Sequence, residues 1–246
     1  MLSVDSVSFR YRRSSEWVLH ELNWSCPTGV NFLLGPNGAG KSTLINLLAS
    51  VAFPQAGTFQ LADLVMPRRG AGLQDWRRQV GWVPQQVDLV PGMTSVEQVA
   101  YAAWLKGVPR TEARQRAVHA LELVGLGAKA HERATTLSGG QARRLGIASA
   151  LVHDALFILM DEPTAGLDPN QRARLYRVIQ ENPDVHWLIS THQTEDLEMR
   201  ASSISVMDAG QMAWQGATAD FLALGHGASD EQRALSSYRS LIGEEE

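Results

Sequence analysis

An α/β fold with a largely parallel sheet and a helical subdomain inserted into it is the architecture this chain predicts, on three observations. Short apolar runs alternate with segments at helical spacing, the pattern of strands joined through helices. One run, Val30 to Leu34, passes directly into the glycine-rich loop Gly35-Pro36-Asn37-Gly38-Ala39-Gly40-Lys41-Ser42 and then into a helical pattern. That strand–loop–helix order is the context such a loop needs to hold phosphate. From Thr94 to Val124 the periodicity turns helical, which places a helical insertion between the two halves of the sheet.

Taken in order, Leu2 to Tyr11 alternates and reads weakly as a first strand, and Trp17 to Trp24 as a second, with Val18, Leu19, Leu22 and Trp24 for burial. Val30 to Leu34 is the third. Ser42 to Ser50 reads as a helix burying Leu44, Ile45, Leu47 and Leu48. A short strand precedes Gln85 in Val83-Pro84-Gln85-Gln86. Thr94-Ser95-Val96-Glu97 has the form of a helix cap. Val99, Ala102, Ala103 and Leu105 continue that helix, and Gly107-Val108-Pro109 breaks it. A second helix holds Ala113, Ala117, Ala120, Leu121 and Val124 and ends near Gly125. After the turn Leu137-Ser138-Gly139-Gly140-Gln141, a helix is expected over Ala142 to Val152, and buried strands over Leu156 to Met160 and Trp187 to Ser190. Four of the motifs follow strands, where ligands collect in sheets of this kind. From Gly225 the tail reads as a loop, a short amphipathic helix and a solvated acidic end, Glu244-Glu245-Glu246; no chemistry is assigned to it.

With 246 residues the chain suits one globular domain carrying a subdomain. A net charge of −4 argues against a broad nucleic-acid-binding face. One cysteine, Cys26, precludes an internal disulfide and suits a reducing cytosol; placed before Pro27 at a strand end, it reads as structural. The most apolar runs, Ala155 to Met160 and Ala148 to Val152, fall far short of the ~20 residues a spanning helix needs. Met1 to Arg13 lacks the apolar stretch of a signal peptide. If the protein works at a membrane, other chains supply the crossing.

The glycines of the loop let backbone N–H groups turn onto phosphate oxygens without Cβ clashes, and the following helix aims its positive end at the same anions. Lys41 would reach the β- and γ-phosphates, Ser42 would ligate Mg²⁺ and Thr43 would add an α-phosphate contact. Phe157 to Met160 is an apolar strand ending in adjacent carboxylates: Asp161 can hold the Mg²⁺ shell and Glu162 can polarise an attacking water. Gln85 could complete the Mg²⁺ shell or position water, although alone it also fits a surface glutamine. His192, after the strand, could donate to a γ-phosphate oxygen, or be structural. Tyr11 could stack on adenine, or simply pack on the fold. The Leu137 to Gln141 turn is a second glycine-rich element opening a helix. With a single loop of the Lys-Ser type, it suggests a site shared between two copies.

With these elements in this order, the chain resembles the ATP-binding subunit of an ABC transporter, from Leu2 to about Gly216. The resemblance rests on Walker A at Gly35 to Ser42, the Q-loop at Gln85, the signature at Leu137 to Gln141, Walker B at Phe157 to Asp161 and Glu162. It continues through a D-loop, Ala165-Gly166-Leu167-Asp168, and a switch His192. It implies a P-loop NTPase core with a small antiparallel β subdomain, the catalytic core lying at about 1–85 and 154–216, the helical subdomain at about 86–153 and a tail at 225–246. It implies catalytic roles for Glu162, His192 and Gln85, and metal ligation by Ser42, Gln85 and Asp161. ATP contacts are implied for Tyr11, Gly35, Asn37, Gly38, Ala39, Gly40, Lys41, Ser42 and Thr43. From the opposite copy, Ser138, Gly139, Gly140 and Gln141 would clamp the same nucleotide.

The cofactors implied are ATP and Mg²⁺. The implied partners are a second nucleotide-binding domain, identical or closely related, and a transmembrane permease, with no nucleic acid. The location implied is the cytoplasmic face of the cell membrane, held there through the permease. The wording Gly92-Met93-Thr94-Ser95-Val96-Glu97, Ala165-Gly166-Leu167-Asp168-Pro169, Ser190-Thr191-His192 and Glu195-Asp196-Leu197 resembles the ABC-2 type exporters. Val30, where the family often has an acid, and Ala155, where it often has proline, depart from its pattern without touching a ligand. The rival reading is a soluble ABC ATPase acting on ribosomes, DNA or cofactor assembly. Such relatives usually carry two domains in one chain or a long coiled-coil insertion, and this chain has neither. A small P-loop kinase would leave the Leu137 to Gln141 turn and His192 without roles.

Overall fold

A computed structural model describes residues 1–12, 14–199 and 201–243; Arg13 and the acidic end Glu244 to Glu246 lie outside the described residues. The elements run β1 (Leu2–Phe9), β2 (Leu19–Cys26), β3 (Val30–Leu34), α1 (Lys41–Leu48), β4 (Ala56–Leu61), β5 (Leu64–Val65), α2 (Ala71–Gln79) and β6 (Val80–Val83). They continue as α3 (Ser95–Leu105), α4 (Arg110–Leu123), α5 (Gly139–Leu151), β7 (Phe157–Asp161), α6 (Pro169–Gln180), β8 (His186–Thr191), β9 (Ser203–Asp208), β10 (Gln211–Ala217), α7 (Thr218–Leu224) and α8 (Asp230–Ile242). The chain divides into two compact units, Met1–Trp76 with His186–Glu246, and Arg77–Val185.

The first unit holds an antiparallel sheet in the order β2-β1-β4-β5 and a second sheet segment in which β3 runs parallel to both β8 and β9, with β10 antiparallel on β9. β1 shows why the alternation at the N-terminus is weak. Leu2, Val4, Val7 and Phe9 are all buried, although Val7 breaks the two-residue phase. The register slips between Val4 and Val7, where Ser6 adopts φ 50, so a bulge resets which face points inward. β2 starts two residues later than the expected Trp17, because Trp17 is exposed beneath the Arg10 guanidinium. Trp24 is buried, and its indole N–H donates to Ser205 Oγ at 2.9 Å, tying β2 to β9. Cys26 ends β2 fully buried, and burial pushes its thiol pKa up. α1 buries Leu44, Ile45, Leu47 and Leu48, and Trp76 is sealed against it through an indole bond to Leu48 O at 2.8 Å.

The second unit is mainly helical around the parallel pair β6–β7. The cap at Thr94 forms in full: Glu97 Oε2 accepts from Thr94 N at 2.8 Å, and Thr94 Oγ1 accepts from Glu97 N at 3.4 Å. Its core joins Val99 and Ala103 of α3, Ala117 and Leu121 of α4, Leu145, Ile147 and Ala148 of α5 and the whole of β7. α5 begins at Gly139, three residues ahead of the expected Ala142, because Ser138 is its N-cap residue. Both glycines therefore form the first helical turn. Strands β4, β5, β9 and β10 and helices α2, α6 and α7 were not marked out by periodicity.

His153, just past α5, is only 9 % exposed. Burial lowers its imidazole pKa from 6.5 to about 3, helped by the nearby Lys106 ammonium. The folded chain thus keeps His153 neutral while the unfolded chain takes up a proton below about pH 6.5. More protons bind to the unfolded state in that window, so stability is fully present above pH 6.5 and is lost as pH falls toward 3. Urea unfolding should lose about 2–3 kcal/mol between pH 7 and pH 4.5 from this group. His153→Leu should flatten that slope, and an unchanged slope would refute the assignment.

Candidate functional site

The residues singled out in the sequence fall into two sets, one in each unit. In the first unit, β3 delivers the loop Gly35 to Gly40 to the start of α1. Gly38 and Gly40 hold φ 87 and 104, a left-handed region open to glycine and costly for other residues. Gly40 is the N-cap of α1 and supplies no side-chain cap, in contrast to Thr94 of α3 and Ser229 of α8. The first-turn N–H groups of α1 are thus the kind that helix geometry offers to an anion.

Lys41 is buried at 4 % exposure, with its ammonium donating to Gly35 O at 2.7 Å and Pro36 O at 3.0 Å, so its charge sits at the mouth of the loop. Asn37, Gly38 and Ser42 are exposed; Ala39 and Thr43 are buried. Tyr11, two residues past β1, is 52 % exposed. It packs edge-on against Phe9 at 5.0 Å, with its hydroxyl 3.1 Å from Thr43 Oγ1. That fixes an open aromatic face beside the first turn of α1. His192 follows β8 directly. Thr191 Oγ1 donates to the fully buried Asp196 carboxylate and accepts from Gln193 N at 3.0 Å, so the backbone is braced on both sides of His192.

In the second unit, β7 ends at the buried Asp161 and turns at Glu162, a non-glycine residue at φ 45. Such a conformation costs of order 1–3 kcal/mol and concentrates at functional sites. Gln85, exposed just past β6, donates from Nε2 to Glu162 Oε2 at 3.2 Å. Ser138 and Gly139 are exposed at the start of α5, and Gln141 Oε1 accepts from Ser138 N at 2.9 Å. The Gln141 side chain is thus engaged in a capping box with Ser138 across the first turn of α5. Asp168 caps α6, accepting from Gln171 N at 2.9 Å.

No group of three or more His, Cys, Asp or Glu side chains forms a metal cage among the described residues. The set proposed for Mg²⁺, Ser42, Gln85 and Asp161, consists of hard oxygen donors. Donors of this type bind Mg²⁺ in company with phosphate oxygens. Sequence reasoning missed two supporting residues, Asp196 and Arg143. Arg143 Nη1 donates to Pro84 O at 3.1 Å, immediately before Gln85. Their roles arise from contacts across loops and carry no local pattern; the one hint for Arg143 is its place two residues after the Leu137 to Gln141 turn.

A family model described as "ABC transporter" matches residues 19–165. A methionine import ATP-binding protein of Caulobacter vibrioides is 34% identical over 238 residues, covering 95% of this chain and 71% of that protein. A Nod factor export ATP-binding protein I of Paraburkholderia xenovorans is 37% identical over 227 residues, covering 90% of this chain and 72% of that protein. Among solved structures, the dimeric post-hydrolysis state of an ATP-binding cassette bound to ADP and Pi superposes with a TM-score of 0.75 at 26% identity, covering 88% of this chain and 98% of that one.

Proposed function

Because the chain belongs to the ABC transporter family of ATP-binding proteins, we propose that it is the ATPase subunit of an exporter. Two copies, or this chain and a close relative, close around two ATP molecules and drive a separate membrane-spanning permease. ATP hydrolysis with Mg²⁺ is the activity of the family, and no helix among the described residues is long and apolar enough to cross a membrane. The observation that carries the reading is the presence in one chain of two phosphate-directed helix starts, the one at Gly40 without a side-chain cap and the exposed one at Ser138.

In this reading the loop amides and Lys41 hold the β- and γ-phosphates, and Tyr11 lies against adenine. Mg²⁺, when bound with ATP, neutralises developing phosphate charge; Ser42, Asp161 and Gln85 are the donors that would hold it. Glu162 accepts the proton of the attacking water, and Gln85, hydrogen-bonded to it, orients both. His192 donates to a γ-phosphate oxygen. Ser138 and the Gly139 and Gly140 amides of the opposite copy complete the clamp, so a C2 pair makes two equivalent sites. Work is delivered because ATP favours the closed pair over the open one.

Relatives named for import and for export are both similar to this chain, so the export direction rests on the motif wording at Gly92 to Glu97 and Ala165 to Pro169. Purification from detergent-solubilised membranes should bring down a polytopic protein. In proteoliposomes with the ATPase facing outward, the pair should load solute into the lumen when ATP is added. ATP-dependent release of preloaded solute would overturn the direction. Recovery of no membrane protein would favour a soluble ABC ATPase.

A further inference from the structure

We propose that Arg143 of α5 is a positioning residue for hydrolysis, holding the backbone at Pro84 so that the Gln85 amide meets Glu162. The inference rests on the roles given above to Gln85 and Glu162. The chain of contacts is continuous: Arg143 Nη1 donates to Pro84 O at 3.1 Å, and the next residue, Gln85, donates from Nε2 to Glu162 Oε2 at 3.2 Å. One turn further on, the same face of α5 presents Gly146. A Cβ there would lie 2.7 Å from Val87 Cγ2 and 3.3 Å from Val83 Cγ1. The segment around Gln85 is therefore seated on α5 twice, by a polar tether at Arg143 and by close approach at Gly146.

Electrostatics point the same way. Burial lowers the Arg143 pKa, while the Asp161 and Glu162 carboxylates raise it. The guanidinium therefore lies close enough to both carboxylates to feel their charge. A planar fork holds a carbonyl in one direction better than a flexible ammonium does. Since α5 begins at Gly139, one rigid helix both presents the Ser138 turn to another copy and holds the Gln85 segment behind Glu162. Docking of that turn is thereby coupled to the geometry around the attacking water.

The test is steady-state ATPase kinetics of the purified full chain with Mg²⁺. Arg143→Met should lower kcat by about tenfold or more, since misplacement on the ångström scale costs that much, while the KM for ATP stays within about twofold because Arg143 touches no phosphate-binding group. Arg143→Gln, which keeps a donor for Pro84 O, should recover at least half of the loss on a logarithmic scale. In a Gln85→Ala background, Arg143→Met should add less than a further twofold, because both act through one contact. Losses that multiply, or KM and kcat changing by equal factors, would overturn the inference. Should Arg143→Met not fold, Arg143→Gln in the two backgrounds decides by the same non-additivity. Glu162→Gln is the control: if it is inactive while Arg143→Met is undiminished, the inference alone fails. A fully active Glu162→Gln sinks the site assignment as well.

Discussion

Glu162→Gln should lower steady-state phosphate release by about two orders of magnitude or more while leaving ATP affinity within about twofold. The amide keeps the size and the hydrogen-bonding reach of the acid but cannot take a proton from water. It is held where the acid was, since its partner Gln85 also offers a carbonyl oxygen to the new NH₂ group, and the turn at φ 45 belongs to the backbone. Binding should persist because the phosphate contacts proposed above come from Gly35 to Thr43, a different part of the chain. ATP that binds but is not cleaved should accumulate the closed pair, seen as an ATP-dependent shift from monomer to dimer on gel filtration. Phosphate release at the parent rate would remove Glu162 from the role of base.

Ser138→Arg should be as damaging to turnover and yet leave the monomer's ATP affinity unchanged. Ser138 is exposed at the start of α5, with its backbone N–H already satisfied by Gln141, so the substitution opens no cavity and strands no buried group. What it removes is a small hydroxyl beside two glycines, replaced by a bulky cation where a phosphate would have to approach. Equilibrium titration with a fluorescent ATP analogue should match the parent protein. The ATP-dependent dimer of the Glu162→Gln background should disappear. Weaker binding by the monomer would show that the turn contacts nucleotide within its own chain.

Much of this site was legible in the sequence because its parts are local. A loop of three glycines between an apolar run and a helix, or an apolar run ending in two acids, is complete within about ten residues. β3, α3 and α4 were read for the same reason: each buries one uninterrupted face. β1 was read too, but only on a faint alternation, because the bulge at Ser6 shifts the buried phase from Leu2 and Val4 to Val7 and Phe9. Trp17 was placed at the start of the second strand and lies outside it, exposed, since an aromatic side chain can be covered by Arg10 as well as by a sheet. The start of α5 was placed late because two glycines read as a turn, and only the cap at Ser138 shows that they are helical. The brace of Thr191 on Asp196 and the tether of Arg143 on Pro84 join residues through folded geometry, so no spacing rule announces them.

If each chain holds two halves of different sites, two inactive variants broken in different halves should restore activity when mixed. Lys41→Ala removes the phosphate lysine, and Ser138→Arg blocks the turn. If the turn acts on the opposite copy, a mixed pair rebuilds one site from the intact loop of one chain and the intact turn of the other. An equal mixture should then recover about one quarter of the parent ATPase rate, because random pairing makes half of the dimers mixed and each carries one working site of two. Activity no greater than that of either inactive variant alone would show that the turn does not complete the opposite copy's site.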